Sequence, residues 1–97
     1  MLTNSQKKQL RTISLNLKIK YQVGKNGINP QVIDLLDKAL TAHELVKVDI
    51  LKSLDKDIME VALDLSSDLH AEVVQIIGRG LLLYRKNKKK EIIHLSK

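Results

Sequence analysis

The sequence predicts an α/β fold in which helices and a mixed four-stranded sheet form a compact two-layer sandwich. Runs with the apolar spacing of helices alternate with short β-branched runs, in the order α-β-α-β-α-β-β. The chain has 97 residues, a length that suits one domain with a modest hydrophobic core. We therefore expect a single domain over residues 1–97.

The first predicted helix begins at Thr3 or Asn4, either of which can cap its N-terminus, and runs to about Asn16. Three apolar side chains share one side of this helix: Leu10, Ile13 and Leu17. Basic side chains share an adjacent flank: Lys7, Arg11 and Lys18. Such a helix packs on one face and presents cations on its flank, although most charges of this kind only solvate a helix surface.

A short run at residues 19–23 predicts the first strand, and it leads directly into a glycine loop. The loop has the pattern G-x-x-G and consists of Gly24, Lys25, Asn26 and Gly27. Two glycines three positions apart permit positive φ and let the backbone approach a ligand closely. An ordinary strand-to-helix turn would show the same pattern, so the pattern alone leaves the function open.

The second predicted helix follows the glycine loop and runs from Pro30 to about Ala42. Asn29 has the residue type of an N-cap, and Pro30 that of a first helical position. The N–H groups at this helix start therefore point back toward the loop, where Lys25 adds a cation. A glycine loop, a cation and a helix N-terminus converge on one spot, and this combination is typical of a phosphate site.

The remaining elements follow from alternation, helical spacing and turn residues. Alternating apolar residues at Leu45–Ile50 predict a strand, and residues from 55 or 56 to 69 predict a third helix. Two further strands, 73–77 and 81–84, flank a glycine-bearing turn. Residues 91–95 could add another edge strand.

The charge is unevenly distributed along the chain. Residues 1–25 hold six basic side chains and no acidic one, and residues 79–97 hold seven basic side chains against one acidic. Residues 26–78 hold four basic and ten acidic side chains, so the two ends sum to +12 and the middle to −6. If the fold brings both ends and the glycine loop to one side, the result is a polyanion-binding face.

Composition argues against several classes of function. The chain has no cysteine, hence no thiolate metal site, and its three histidines lack metal-ligand spacing: His43, His70 and His94. Gly24-Lys25 is not part of a P-loop pattern. Two pairs of carboxylates have helical spacing, Asp34 with Asp37 and Asp64 with Asp68, but no nucleophile accompanies either pair. No segment approaches the roughly 20 apolar residues that cross a bilayer. We therefore expect a cytoplasmic protein without membrane contact, catalytic activity, metal or cofactor.

Three blocks of sequence, 21–27, 44–48 and 74–85, together resemble the CRM domain, the chloroplast RNA splicing and ribosome maturation family. The resemblance covers essentially the whole chain. It implies a fold akin to the C-terminal domain of bacterial translation initiation factor three, and RNA binding through the G-x-x-G loop, as in KH domains. Single-domain members are associated with maturing large ribosomal subunits, so the resemblance implies a ribosome-associated protein whose partner is large-subunit ribosomal RNA.

The resemblance carries over residue by residue only to the glycine loop, in which Lys25 would contact phosphate. Basic residues elsewhere match the family in general character, and we include them in the predicted RNA-binding site: Lys7, Lys8, Arg11, Lys18, Lys20, Arg79, Arg85 and Lys86. Arg79 and Arg85 fall in the third block, where a structural role fits as well as an RNA contact.

The sequence therefore predicts a non-catalytic, monomeric RNA-binding protein that acts on no small-molecule substrate. One alternative is a protein-interaction module that docks through the acidic middle region and binds no RNA specifically. Another is duplex DNA binding by the first helix, which offers Gln6, Gln9 and Asn16 but no evident dimer partner. RNA binding through several cations should weaken steeply with salt, whereas apolar protein docking should not.

Overall fold

The computed structural model describes residues 2–18 and 20–96, and within these ranges it contains three helices and one mixed four-stranded sheet. The helices are α1 (Asn4–Ser14), α2 (Pro30–His43) and α3 (Ile58–Leu69). The strands are β1 (Lys20–Val23), β2 (Leu45–Ile50), β3 (Glu72–Ile77) and β4 (Gly80–Tyr84). The predicted α/β class and element order are confirmed, while Ile19, the first residue of the first predicted strand, lies outside the described residues.

Local capping explains where α1 begins. A capping box starts α1: Gln6 N donates to Thr3 Oγ1 at 3.1 Å, and Thr3 N donates to Gln6 Oε1 at 3.0 Å. Thr3 rather than Asn4 is therefore the N-cap, and the helix ends at Ser14, two residues before the predicted end. Helix α3 begins after the N-cap residue Asp57, slightly later than predicted.

The sheet has the strand order β1-β2-β4-β3, in which β1 and β2 are parallel and the other pairs are antiparallel. The loops that follow β1 and β2 therefore lie at the same end of the sheet, together with the turn between β3 and β4. We call this the loop end of the sheet. At the opposite end, the far end, β2 begins at Leu45 beside the last residue of β4, Tyr84.

Both faces of the sheet are covered, one of them only in part. The larger core cluster joins one face to α2 and α3, and its most deeply buried side chains include Leu40, Val48, Leu65 and Leu83. A smaller cluster lies on the opposite face, where Leu10 of α1 packs against four sheet residues: Leu45, Val74, Leu82 and Tyr84. Helix α1 thus adds a partial third layer to the predicted two-layer sandwich.

The chain after β4 runs back across the α1 side of the sheet without forming a strand. The prediction of a further edge strand at residues 91–95 is wrong. Backbone N–H groups in this part of the chain donate hydrogen bonds to side chains and not to a neighbouring strand. Ile92 N donates to the Glu44 carboxylate, and Ser96 N donates to Gln9 Oε1 at 2.9 Å. Ile93 packs with the smaller core cluster. In the described ranges, none of the helices has the length and apolar character needed to span a bilayer.

Candidate nucleic-acid interface

The glycine loop is a closed turn between β1 and α2. Gly27 N donates to Gly24 O at 2.8 Å, and Gly27 has a φ of +69°, in the left-handed region that favours glycine. Asn29 Oδ1 accepts a hydrogen bond from Val32 N at 2.9 Å, and Pro30 is the first helical residue. The predicted cap is confirmed, so the positive end of the α2 dipole faces the loop.

A second loop, residues 51–57, lies directly against the glycine loop. Leu51 N donates to Val23 O at 2.8 Å. A Cβ at Gly24 would lie 3.3 Å from Leu51 Cδ1, so glycine permits the close approach of the two loops. A Cβ at Gly27 would meet Leu54 Cδ1 only at 3.6 Å, an ordinary contact. Glycine at position 27 is therefore favoured by its φ, whereas a side chain at position 24 would require the exposed Leu51 side chain to shift slightly.

Arg79, in the turn between β3 and β4, holds this second loop in place. Its Nε donates to Ile50 O at 2.9 Å, and one Nη donates to Leu54 O at 3.0 Å and reaches Lys56 O at 3.4 Å. Ile50 N in turn donates to Arg79 O at 2.8 Å. The geometry thus gives Arg79 a structural role, because its guanidinium supports the loop on which the glycine loop packs.

We expect Arg79→Lys to destabilise the protein by about 1–2 kcal/mol although it keeps the positive charge, because an ammonium cannot reproduce the forked donation. Urea unfolding measures the change. Lys52→Arg, on the exposed surface of the same loop, is the matched control and should change stability by less than about 0.5 kcal/mol. An Arg79→Lys protein as stable as its parent would contradict the structural role.

The cations of α1 lie on the flank that borders the uncovered part of the sheet. Ser14 is buried, and helical periodicity places Lys7 and Arg11 on its side of the helix. Ser14 also lines a hollow on the sheet whose lining is mostly apolar and includes Ile77, Leu81 and Leu82. Two lysines, Lys20 and Lys47, border the same hollow, so the surface beside α1 continues across the sheet as an apolar hollow edged by cations.

Of two further predicted cations, one lies away from this hollow and the other is already paired. Lys18 follows the end of α1, so the prediction that it shares a helical flank with Lys7 and Arg11 is wrong; it lines a separate hollow beside Tyr21. Lys20 Nζ lies 3.0 Å from Asp49 Oδ2 in an exposed ion pair. Such a pair is weak, so a phosphate could compete for the lysine.

Arg85 and Lys86 lie at the far end of the sheet. The Arg85 guanidinium donates to Asp37 Oδ1 at 2.7 Å, to Leu69 O at 2.8 Å and to Thr41 Oγ1 at 2.9 Å. These bonds tie α2, the end of α3 and the end of β4 together, so Arg85 also has a structural role. Lys86 is exposed. The twelve predicted residues are therefore not brought to a single spot.

Sequence reasoning missed one cation that the fold places near the glycine loop and another that it places on the sheet. Lys56 borders a hollow with Lys25 and Gly27, and its Nζ lies 3.4 Å from Asp64 Oδ2. Lys47 lies on β2 and borders the hollow beside Ser14. The parallel pairing of β1 and β2 is the signal that could have found Lys56, because it brings the loops after both strands together.

A cleft at the far end lies between the start of α1 and the residues after β4. Its lining includes Gln6, Glu72, Tyr84, Lys86 and Lys88. Burial raises the pKa of the Tyr84 phenol above its ordinary value of 10.0, and three nearby carboxylates raise it further: those of Glu44, Glu91 and Glu72. The phenol is therefore neutral at pH 7. Across the described ranges, no cluster of His, Asp and Glu side chains has the arrangement of a metal site.

Comparisons with known proteins point to one family. The model of the CRS1/YhbY (CRM) domain matches residues 2–85. Probable RNA-binding protein YqeI of Bacillus subtilis is 38% identical over 95 residues, which cover 98% of this chain and 99% of that protein. Probable RNA-binding protein PA4753 of Pseudomonas aeruginosa is 38% identical over 88 residues, which cover 91% of this chain and 85% of that protein.

A solved structure shares the fold over the full length. It is the solution structure of protein SAV1595 from Staphylococcus aureus, which is described as a candidate RNA-binding protein. The two structures superpose with a TM-score of 0.79 at 38% sequence identity, covering 99% of this chain and 100% of that chain. The similarity therefore extends to the residues after β4 as well as to the sheet and helices.

Proposed function

The chain belongs to the CRS1/YhbY (CRM) domain family, and on this premise we propose that it is a non-catalytic RNA-binding protein. The observation that carries the proposal is the closed G-x-x-G turn at the start of a capped helix, with Gly27 at positive φ. The names of two relatives as probable RNA-binding proteins support it. The bound group is the RNA backbone, and the loop receives one of its phosphates.

Binding uses charge and backbone donors at the loop end. Lys25 is exposed at the tip of the glycine loop, and the positive end of the α2 dipole favours a negative charge beside it. The absence of a Cβ at Gly27 lets a phosphate approach the backbone. Lys7 and Arg11 extend the contact along the α1 flank, and the Arg79 guanidinium keeps the supporting loop in position.

Base specificity should be low. Recognition of unpaired bases commonly uses several exposed aromatic rings, on which the bases stack. The chain has only two tyrosines: Tyr84 is 8% exposed, and Tyr21 is half-buried against the larger core cluster. Neither provides a platform, so affinity comes mainly from phosphate neutralisation and from the shape of the RNA.

We further propose that the partner is large-subunit ribosomal RNA in a maturing particle, bound by the monomer in the cytoplasm. This part of the proposal is supported by the resemblance to single-domain members of the family, which are associated with that particle. A protein-interaction module is the second candidate. The observation that favours it is a pair of exposed apolar side chains one turn apart on α3, Met59 and Leu63.

A salt series distinguishes the two functions. We expect the affinity for labelled fragments of large-subunit ribosomal RNA to fall with a log-log slope of roughly −4, since each of about six neutralised phosphates contributes about −0.7. Fluorescence anisotropy between 50 and 200 mM salt measures the slope. Fragments of small-subunit RNA serve as the control for the choice of partner. A slope shallower than about −1 would contradict RNA binding and favour protein docking through α3.

A further inference from the structure

We propose that residues 86–90, which we call the lysine loop, form a second RNA-phosphate site that Glu44 organises before RNA arrives. The site lies at the far end of the sheet, so the protein would contact two separated RNA segments. This inference rests on the proposed RNA-binding function and goes beyond it, because it adds a second site with its own positioning residue.

The Glu44 carboxylate anchors the start of the lysine loop and the chain just after it. It is fully buried and accepts hydrogen bonds from Asn87 N at 2.6 Å and from Ile92 N at 2.9 Å. Ile93 N also donates to it, at 2.5 Å. A buried carboxylate is stable only when such donors surround it, so this side chain holds residues 87, 92 and 93 in place.

The backbone conformation of Glu44 is one that glycine adopts with less strain than glutamate does. Glu44 is the C-cap of α2 and has a φ of +64°, a conformation in which glycine is free of the strain that a Cβ causes. Its carbonyl accepts a hydrogen bond from Arg85 N at 2.9 Å. Glycine at this position would provide the same carbonyl but no carboxylate. The three hydrogen bonds that the Glu44 carboxylate accepts therefore offset the strain of its backbone conformation.

Asn87 fixes the lysine loop from within. Its Nδ2 donates to Thr41 O at 2.9 Å, and its Oδ1 accepts hydrogen bonds from Lys89 N at 2.9 Å and from Lys90 N at 3.2 Å. The four lysine side chains are all exposed: Lys86, Lys88, Lys89 and Lys90. The loop therefore holds its backbone in a defined turn while it presents four cations to solvent.

The nearby carboxylates leave a positive excess at this site. Glu44 is buried beneath the loop, Glu72 accepts from Leu2 N at 2.9 Å, and Glu91 lies 3.5 Å from His94 Nδ1. Asp37 is also exposed, but it pairs with Arg85 at 2.7 Å. The structure therefore provides four exposed ammonium groups against two exposed acidic neighbours, Glu91 and the paired Asp37. An RNA backbone is the partner whose repeated charge fits such a cluster.

The lysine loop and the glycine loop lie at opposite ends of β2. Five steps of about 3.3 Å along this strand separate them by at least roughly 17 Å. Because phosphates along one nucleic-acid strand recur every few ångströms, the two sites would contact phosphates several nucleotides apart. The family model matches only residues 2–85, so the lysine loop also lies outside the part of the chain that the model covers.

Hydroxyl-radical footprinting of a ribosomal RNA fragment tests the proposal. We expect two separated protected segments with the parent protein. Replacing all four lysines by alanine should remove one segment, leave the other, and flatten the salt slope by roughly 2 to 3 units. Gly27→Glu should remove the other segment. Lys38→Ala, an exposed lysine on α2, is the control for loss of surface charge and should leave both segments.

Glu44→Gln separates positioning from charge. The substitution removes one negative charge and so makes the net charge of the protein more positive. If only long-range electrostatics mattered, RNA binding would stay equal or become tighter. We expect instead roughly tenfold weaker binding, because the lysine loop must then be ordered when RNA binds. Amide hydrogen exchange at Ile92 and Ile93 should become faster. The matched control is Glu60→Gln, the same change at an exposed position on α3, which should not weaken binding.

Asn87→Ala provides a second, uncharged perturbation in case Glu44→Gln does not fold, and it should weaken binding in the same direction. Glu44→Gln and Asn87→Ala proteins that fold and bind as tightly as the parent would overturn the positioning role. A single protected segment that disappears with Gly27→Glu and survives the fourfold lysine change would overturn the second site and leave the proposed function intact. Loss of all protection with the parent protein would instead contradict RNA binding itself.

Discussion

Gly27→Glu is expected to reduce RNA affinity on the order of 100-fold, the largest effect of any single change on binding. The substitution places a carboxylate where the closed turn should receive a phosphate, so attraction is replaced by repulsion. It also adds a Cβ at a φ of +69°, which costs about 1–2 kcal/mol of backbone strain. Anisotropy titration with ribosomal RNA, after circular dichroism has confirmed the fold, measures the change.

Gly27→Gln is the matched control for this prediction. Glutamine has nearly the same size and imposes the same strain at Gly27, so the difference between the two variants isolates the charge. We expect Gly27→Gln to lose roughly tenfold in affinity or less. Equal losses in the two variants would show that shape rather than charge matters at the loop. Full binding by Gly27→Glu would mean that the loop does not contact RNA.

Arg85→Ala is expected to lower the free energy of unfolding by about 3 kcal/mol, the largest effect of a surface-facing change on stability. The guanidinium satisfies Leu69 O and Thr41 Oγ1 and pairs with Asp37. The Asp37 pair and the Thr41 hydroxyl are exposed and contribute little, so most of the loss comes from Leu69 O, a part-buried carbonyl that is left without its donor. The melting temperature should fall by roughly 15 °C.

Lys86→Ala is the control for Arg85→Ala, since it removes a charge from the adjacent exposed position. We expect it to change stability by less than about 0.5 kcal/mol while it weakens RNA binding slightly. Thermal unfolding of both variants in the same buffer makes the comparison. An Arg85→Ala protein as stable as Lys86→Ala would contradict the structural role of the guanidinium.

Those parts of the fold that depend on local signals were predictable from the sequence. The capping residues Thr3 and Asn29 mark helix starts through bonds to residues three positions away. The alternation in Leu45–Ile50 marks a strand. The position of α1 was not predictable, because Leu10 and Ile13 give the helix a packing face but do not say which face of the sheet receives it.

The candidate site was predictable in its loop and less so elsewhere. The pattern at Gly24 and Gly27 is local, whereas the roles of the arginines depend on carbonyls distant in sequence: Arg79 reaches Ile50, 29 residues away. Glu44 is one of ten acidic residues in the middle region, and nothing in its neighbours indicates burial. The apolar run at 91–95 resembles a strand in sequence. Its hydrogen bonds to Glu44 could not be predicted, because Glu44 is distant in sequence.

The position of β4 between β2 and β3 has a consequence for how the chain folds during synthesis. The last strand to be made occupies the centre of the sheet, so until residue 84 has left the ribosome β2 and β3 have no common neighbour. Before that moment β1 and β2 form only a two-stranded parallel pair whose two outer edges are both unpaired, which is marginally stable at best. Folding should therefore be a late, single cooperative event, with closure of the sheet and ordering of the residues bound to Glu44 completed together.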